Sequence, residues 1–258
     1  MRRHPSTHRR QAEAWPCLGF VVALLGAINV QTHGQSLDER LDEDAFLRGV
    51  IELRLPEVLK AYVAAHPTND PFKTAAYAIA AERLSLADPN LPTAERLKCI
   101  DHMREIRAKM LNGTATDDPR AVVILADQAS DSLFELLPTD ATGITTLFGV
   151  PTDEQQRIAK WAANDVYTMA RQAQQRVNQS IRALESKPGF STDFSLQDQR
   201  RRLAEEQRDR RIPFLLGVGS TLQAELNTTD AAQQKALYEQ ASQLLGPLID
   251  NLPAAAKP

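Results

Sequence analysis

The chain predicts an all-α protein made of antiparallel helical hairpins, stacked as an array or an irregular bundle. Three observations carry this. Past the first 34 residues, apolar side chains recur at spacings of three and four, the beat of a helix face. Ala, Leu, Gln, Glu and Arg abound, aromatics make up 5% of the chain, and no window alternates as a half-buried strand does. Prolines stand repeatedly where a helix would begin or end.

Leu37 to Leu55 opens on acids (Asp38, Glu39, Asp42, Glu43, Asp44), which the positive end of the helix dipole favours. Phe46, Val50, Ile51 and Leu53/Leu55 follow as its apolar set. Pro56 starts a short second helix, which stops at His66-Pro67 because the residue before a proline disfavours the α region. Asp70-Pro71 is a cap followed by a first-turn proline. Phe72, Ala76, Ile79, Ala80 and Leu84 form the stripe of that helix, and Asp88-Pro89 ends it. Pro92-Thr93 opens the next, with Leu97, Ile100, Met103, Ile106 and Met110 on one face and Asn112-Gly113 as its stop. Asp118-Pro119 repeats the cap-and-proline device before the cleanest stripe: Val122, Leu125/Ala126, Ala129, Leu133 and Leu136/Leu137.

Residues 139–150 read as a connector with an apolar turn at Ile144, Leu147 and Phe148. The longest helix runs from about 152 to 185, roughly 50 Å at the helical rise. Its face is Ile158, Ala162, Val166, Met169, Ala173, Val177, Ile181 and Leu184, and Lys187-Pro188-Gly189 stops it. Leu196 to Arg211 is a polar helix, expected to bend or break at Pro213 before Phe214–Leu226 continues. Thr229-Asp230 caps the last helix, with Leu237, Ala241, Leu244/Leu245, Leu248 and Leu252 on its face.

The first 34 residues read as an export signal. Arg2, Arg3, Arg9 and Arg10 are followed by the uncharged run Leu18–Val30 and the small-x-small pair Thr32/Gly34. Cleavage after Gly34 leaves 35–258 as an all-helical domain, with 138–151 as the place where it would split. The alternative is an uncleaved anchor, although the apolar run is shorter than the roughly 20 residues a span needs. The expected location is the periplasm or outside the cell. Removing the leader moves the net charge from −3 to about −6, which argues against general nucleic-acid binding. Cys99 is then the lone cysteine, expected to be a small buried side chain, and the fold holds without an internal disulfide.

The stretch Ala78-Ile-Ala-Ala-Glu-Arg-Leu-Ser-Leu-Ala-Asp-Pro-Asn90 resembles the second helix and exit turn of a tetratricopeptide repeat. Tyr238, Ala241 and Pro253 echo the same logic. The family repeats every 34 residues, and the long helix near 152–185 interrupts any such array. The resemblance implies stacked helical hairpins and a surface that binds a peptide or protein.

Signatures of hydrolase elbows, phosphate loops and zincins are missing. Gly217-Val-Gly219 lacks the third glycine and the preceding strand of a dinucleotide site, so close helix packing is expected there. Cys99 and His102 share a helix face but supply two of the four ligands a structural zinc needs. Trp161 is expected in the core. Asp127, Asp131 and Glu135 follow at i, i+4 and i+8 as an acidic ridge. It is expected to be a solvated face, or else to pair with arginines of a neighbour or partner. In the run Arg200–Arg211, i, i+4 pairs such as Glu206–Arg210, Arg201–Glu205 and Arg202–Glu206 neutralise most of the charge. A wet or bridging helix is expected, while Arg200, Arg201, Arg202 and Arg211 are the candidates for a partner or anion contact.

The chain is therefore expected to be a non-catalytic exported protein that binds an unidentified protein or peptide. It is expected to have no metal, cofactor or nucleic-acid partner, and to meet a membrane only through an uncleaved leader. The alternatives are a cell-envelope hydrolase using helix-borne carboxylates, which would face each other across a cleft, and an anchored structural protein.

Overall fold

A computed structural model describes residues 37–136 and 153–250. The leader over 1–34, the connector at 139–150 and the tail from Pro253 lie outside the described residues. Two compact units divide the chain. Of Met1–Asp44 only the opening turns of one helix are described, and Ala45–Pro258 holds the rest.

The described chain is all-α. Its helices are α1 (Leu37–Glu52), α2 (Pro56–Ala65), α3 (Pro71–Leu86), α4 (Thr93–Asn112), α5 (Pro119–Leu136), α6 (Asp153–Glu185), α7 (Phe194–Arg202), α8 (Ile212–Leu226) and α9 (Ala231–Asp250). A π-helical segment, Leu203–Arg211, joins α7 to α8. Among the described residues, no helix is long and apolar enough to cross a membrane.

Local chemistry sets most boundaries. Asp70 accepts the Phe72 N–H at 2.8 Å and Asp118 accepts the Arg120 N–H at 2.8 Å, each ahead of a first-turn proline. α1 ends in a Schellman turn: Leu55 N–H bonds Val50 O at 3.0 Å and Arg54 N–H bonds Ile51 O at 3.0 Å. Arg54 holds the left-handed position of that turn at φ 54°, where glycine is usual. Leu53 therefore points outward, 71% exposed, and does not join the expected stripe, whereas Leu55 packs on the first cluster. That cluster unites Leu47 and Val50 of α1, Leu59 of α2, and Tyr77 and Ala80 of α3.

α3 and α5 lie parallel and in register, with α4 packed against both. Arg83 of α3 reaches Asp131 of α5, and Arg120 of α5 lies over the Phe72 ring of α3 at 4.1 Å; both contacts join positions 48 apart. Further along, α6 packs between α5 and the rod formed by the π segment and α8, and α9 covers α8. Contact on two sides explains why α6 buries more than its expected stripe, adding Ala159, Ala163, Asp165, Ala170 and Ser180. The chain stays helical through Pro213, and the disturbance expected there takes the form of a change from α to π turns just before it. A proline ring clashes with the carbonyl four residues back in an α-helix, and the wider π turn before it relieves that clash, so one rod continues from 194 to 226.

The Asp118 cap also ties stability to pH. Burial pushes its carboxyl up, but bonds from the Arg120 guanidinium and N–H outweigh this and hold it below the ordinary value. Depressing a carboxylate adds stability that is present above about pH 3.9, the unfolded value, and lost as pH falls through the folded one. Asp118→Ala is expected to cost about 1 kcal/mol at pH 7 and to flatten the acid limb of a denaturation-against-pH curve. Parallel wild-type and variant curves would refute this.

Candidate functional site

The acidic ridge of α5 is where separate helices meet. Asp131 accepts from Arg83 of α3 at 3.0 and 3.1 Å and, on its other side, from Arg107 of α4. Glu135 faces Arg96 of α4 at 3.4 Å, and Asp127 faces Arg211 of the π segment at 2.6 Å. The solvated face expected of this ridge is thus corrected at Asp131, which is buried along with Arg107. Its neighbours are half-buried, and every member pairs with an arginine from another helix. Burial and the Asp131 charge push the Glu135 carboxyl up, while Arg96 and Arg83 pull it back. Burial lowers the Arg83 guanidinium, but the nearby acids, Asp131 foremost, raise it overall. Each ridge acid faces a cation, an arrangement that fixes helix register and differs from the opposed carboxylates of a glycosidase.

The four singled-out arginines do not form one patch. Arg200 pairs with Glu185 of α6 at 2.9 Å, and Arg201 and Arg202 share Asp198 at 2.6 and 2.8 Å. Arg211 instead reaches α5, donating to Ser130 Oγ at 2.9 Å besides its pair with Asp127. Of the expected i, i+4 pairs, Arg201 reaches Glu205 at 3.7 Å, whereas Arg202 turns back to Asp198 and the stretch from Leu203 is π-helical with Leu203 and Ala204 buried.

A second polar cluster lies where α4, α5 and α6 meet. Asp165 of α6 is buried and accepts from Ser132 Oγ at 2.6 Å and from Gln128 Nε2 at 3.3 Å. Arg104 of α4 stands 3.5 Å away and lies over the Trp161 ring at 4.7 Å. Beside them is a groove of about 460 Å³, with Leu111, Leu125 and Met169 in its lining and Asp101, Glu105 and Gln172 among its polar residues. Asp165 was legible in principle, since it sits on the core side of α6 beside Ala162, Val166 and Met169. The π segment and the arginine partners of the ridge were not.

The remaining candidates resolve simply. Cys99 is half-buried, and burial followed by the Glu82 carboxylate pushes its thiol up to about 11. Such a group stays a thiol at neutral pH and is a poor nucleophile. His102 is exposed and donates to Glu82 at 2.6 Å. Among the described residues, no group of three or more His, Cys, Asp or Glu is placed to hold a metal ion. Trp161 is half-buried against the main core. Gly217 and Gly219 lie where α8 approaches α9 and α6 most closely.

Comparison with known proteins finds no family model, no curated protein and no solved structure that matches the chain.

Proposed function

We propose that the protein is a non-catalytic helical scaffold, exported to the periplasm or outside the cell, that holds a protein or peptide partner on the outer face of α5. One observation carries the reading. Val123, Asp127, Ser130 and Phe134 share one face of α5, and both apolar members stay exposed, Phe134 at 56%. Arg211 lies across the middle of this face, and Phe214, 39% exposed, follows it by one turn. Aromatic side chains around a held arginine are the composition of interface hot spots. The tetratricopeptide resemblance supports the same reading at the level of hairpin stacking, although α3 and α5 repeat at 48 residues against the family's 34.

The test is a photo-crosslinkable residue at 134, used to capture and identify the partner, followed by titration of the purified pair. Phe134→Ser with Phe214→Ser is expected to weaken binding at least tenfold, or about 1.4 kcal/mol, with an unchanged circular dichroism spectrum at the assay temperature, since neither ring belongs to the buried core. Equal affinity of the double variant would refute the reading. Export is checked by sequencing the mature N-terminus, expected at Gln35.

A further inference from the structure

The solvent face of α6 differs from every other charged surface described above. Arg157, Lys160, Asn164, Arg171, Gln175 and Arg182 fall within one narrow stripe at the helical angle of 100° per residue, and all six are exposed. From Arg157 to Arg182 the stripe runs about 38 Å. Of the described acids of α6, Asp165 faces the core, Glu185 lies beyond Arg182, and Asp153 stands at the stripe's N-terminal end one turn before Arg157, so none interrupts the row between Arg157 and Arg182. The chain as a whole carries net charge −3, yet this row is purely cationic and amide. Many other arginines are neutralised in pairs: Arg83, Arg96, Arg107, Arg200, Arg201, Arg202 and Arg211 each face an acid. The four cations of the stripe have no acid partner among the described residues.

The residue types select the occupant. Neither an exposed aliphatic nor an exposed aromatic side chain interrupts the row, so it has nothing to insert into a bilayer and no apolar centre for a folded protein. A single-stranded nucleic acid needs stacking platforms. Trp161, at the stripe's border, is half-buried and already has Arg104 over its ring. Duplex DNA carries a charge about every 1.7 Å, far denser than four cations over this length. A straight, sparse row of cations separated by amides matches a linear polymer that is itself sparsely anionic and rich in hydroxyl groups. We propose that the α6 stripe binds an acidic polysaccharide, with Arg157, Lys160, Arg171 and Arg182 pairing its carboxylate or sulfate groups and the amides bonding its hydroxyls.

The experiment titrates the full-length protein into a fluorescently labelled oligogalacturonate long enough to span the stripe. Arg157→Gln, Lys160→Gln, Arg171→Gln and Arg182→Gln are combined in one variant. These positions are exposed and glutamine suits a helix, so circular dichroism is expected to be unchanged. A control variant changes Arg54, Lys109, Arg210 and Lys235 to Gln. The stripe variant is expected to lose affinity about tenfold or more, as four modest surface pairs would give, and the control to stay within about twofold. Raising salt is expected to weaken wild-type binding. No binding by the wild type, an equal loss in the control, or tighter binding of duplex DNA or of anionic phospholipid vesicles would overturn the proposal.

Discussion

Replacing Asp131 by Ala is expected to destabilise the protein by about 3–5 kcal/mol, the cost of breaking a buried ion pair from one side. The size follows from what is left behind. Arg107 has a side chain only 3% exposed, and Asp131 is the acid it pairs with. With that carboxylate gone, a guanidinium stays in low dielectric without a counter-charge and without water to replace it. Arg83 suffers less, because it is 29% exposed and already feels Asp127 and Glu135. Removing Asp127 or Glu135 is therefore expected to cost about 1 kcal/mol or less, as for exposed pairs. Converting Asp131 to Leu together with Arg107 to Met is expected to recover most of the loss, since well-packed apolar replacements of a buried pair are often neutral. Urea denaturation of the three single variants and the double variant measures this directly. An Asp131→Ala protein within about 1 kcal/mol of wild type would show that the pair is not desolvated as the structure has it.

This pair also marks the limit of what the chain reveals before it folds. The i, i+4, i+8 spacing of Asp127, Asp131 and Glu135 is local and readable. The partners are not local, since Arg83 lies 48 residues before Asp131 and Arg211 lies 81 after Ser130. No spacing rule joins them, because tertiary packing alone brings α3, α4 and the π segment to one helix. Helix starts at Pro56, Asp70-Pro71 and Asp118-Pro119 were legible for the opposite reason: a cap and a missing N–H act within a single turn. At Pro213 the residues left a bend or a break open, because the clash has more than one remedy, and the widened turn that relieves it here packs on α5 and α6. The unpaired cations of α6 were readable as residues. Their isolation from acids required knowing where every neighbouring carboxylate went.

Gly219→Ala is expected to destabilise the protein by about 2 kcal/mol even though alanine favours a helix over glycine by about 1 kcal/mol. A Cβ at 219 would stand 3.0 Å from Tyr167 Cα, 3.1 Å from Tyr167 N and 3.2 Å from Val166 Cγ1. Two of these atoms are backbone of α6, so relief requires prising α8 from α6 along the seam that buries Val166 and Ala170 against Leu215 and Leu216. Gly217 is the internal control. The three atoms nearest its added Cβ all belong to the side chain of Leu245, Cγ at 2.6 Å first, a half-buried residue of α9 that can change rotamer. Gly217→Ala is expected to lie within about 1 kcal/mol of wild type, because rotamer strain and helix propensity nearly cancel. The opposite order in thermal denaturation, with Gly219→Ala the more stable of the two, would mean that α6 and α8 do not approach through their backbones. The long helix would then rest on side chains alone, and the two-residue glycine spacing would have no packing role.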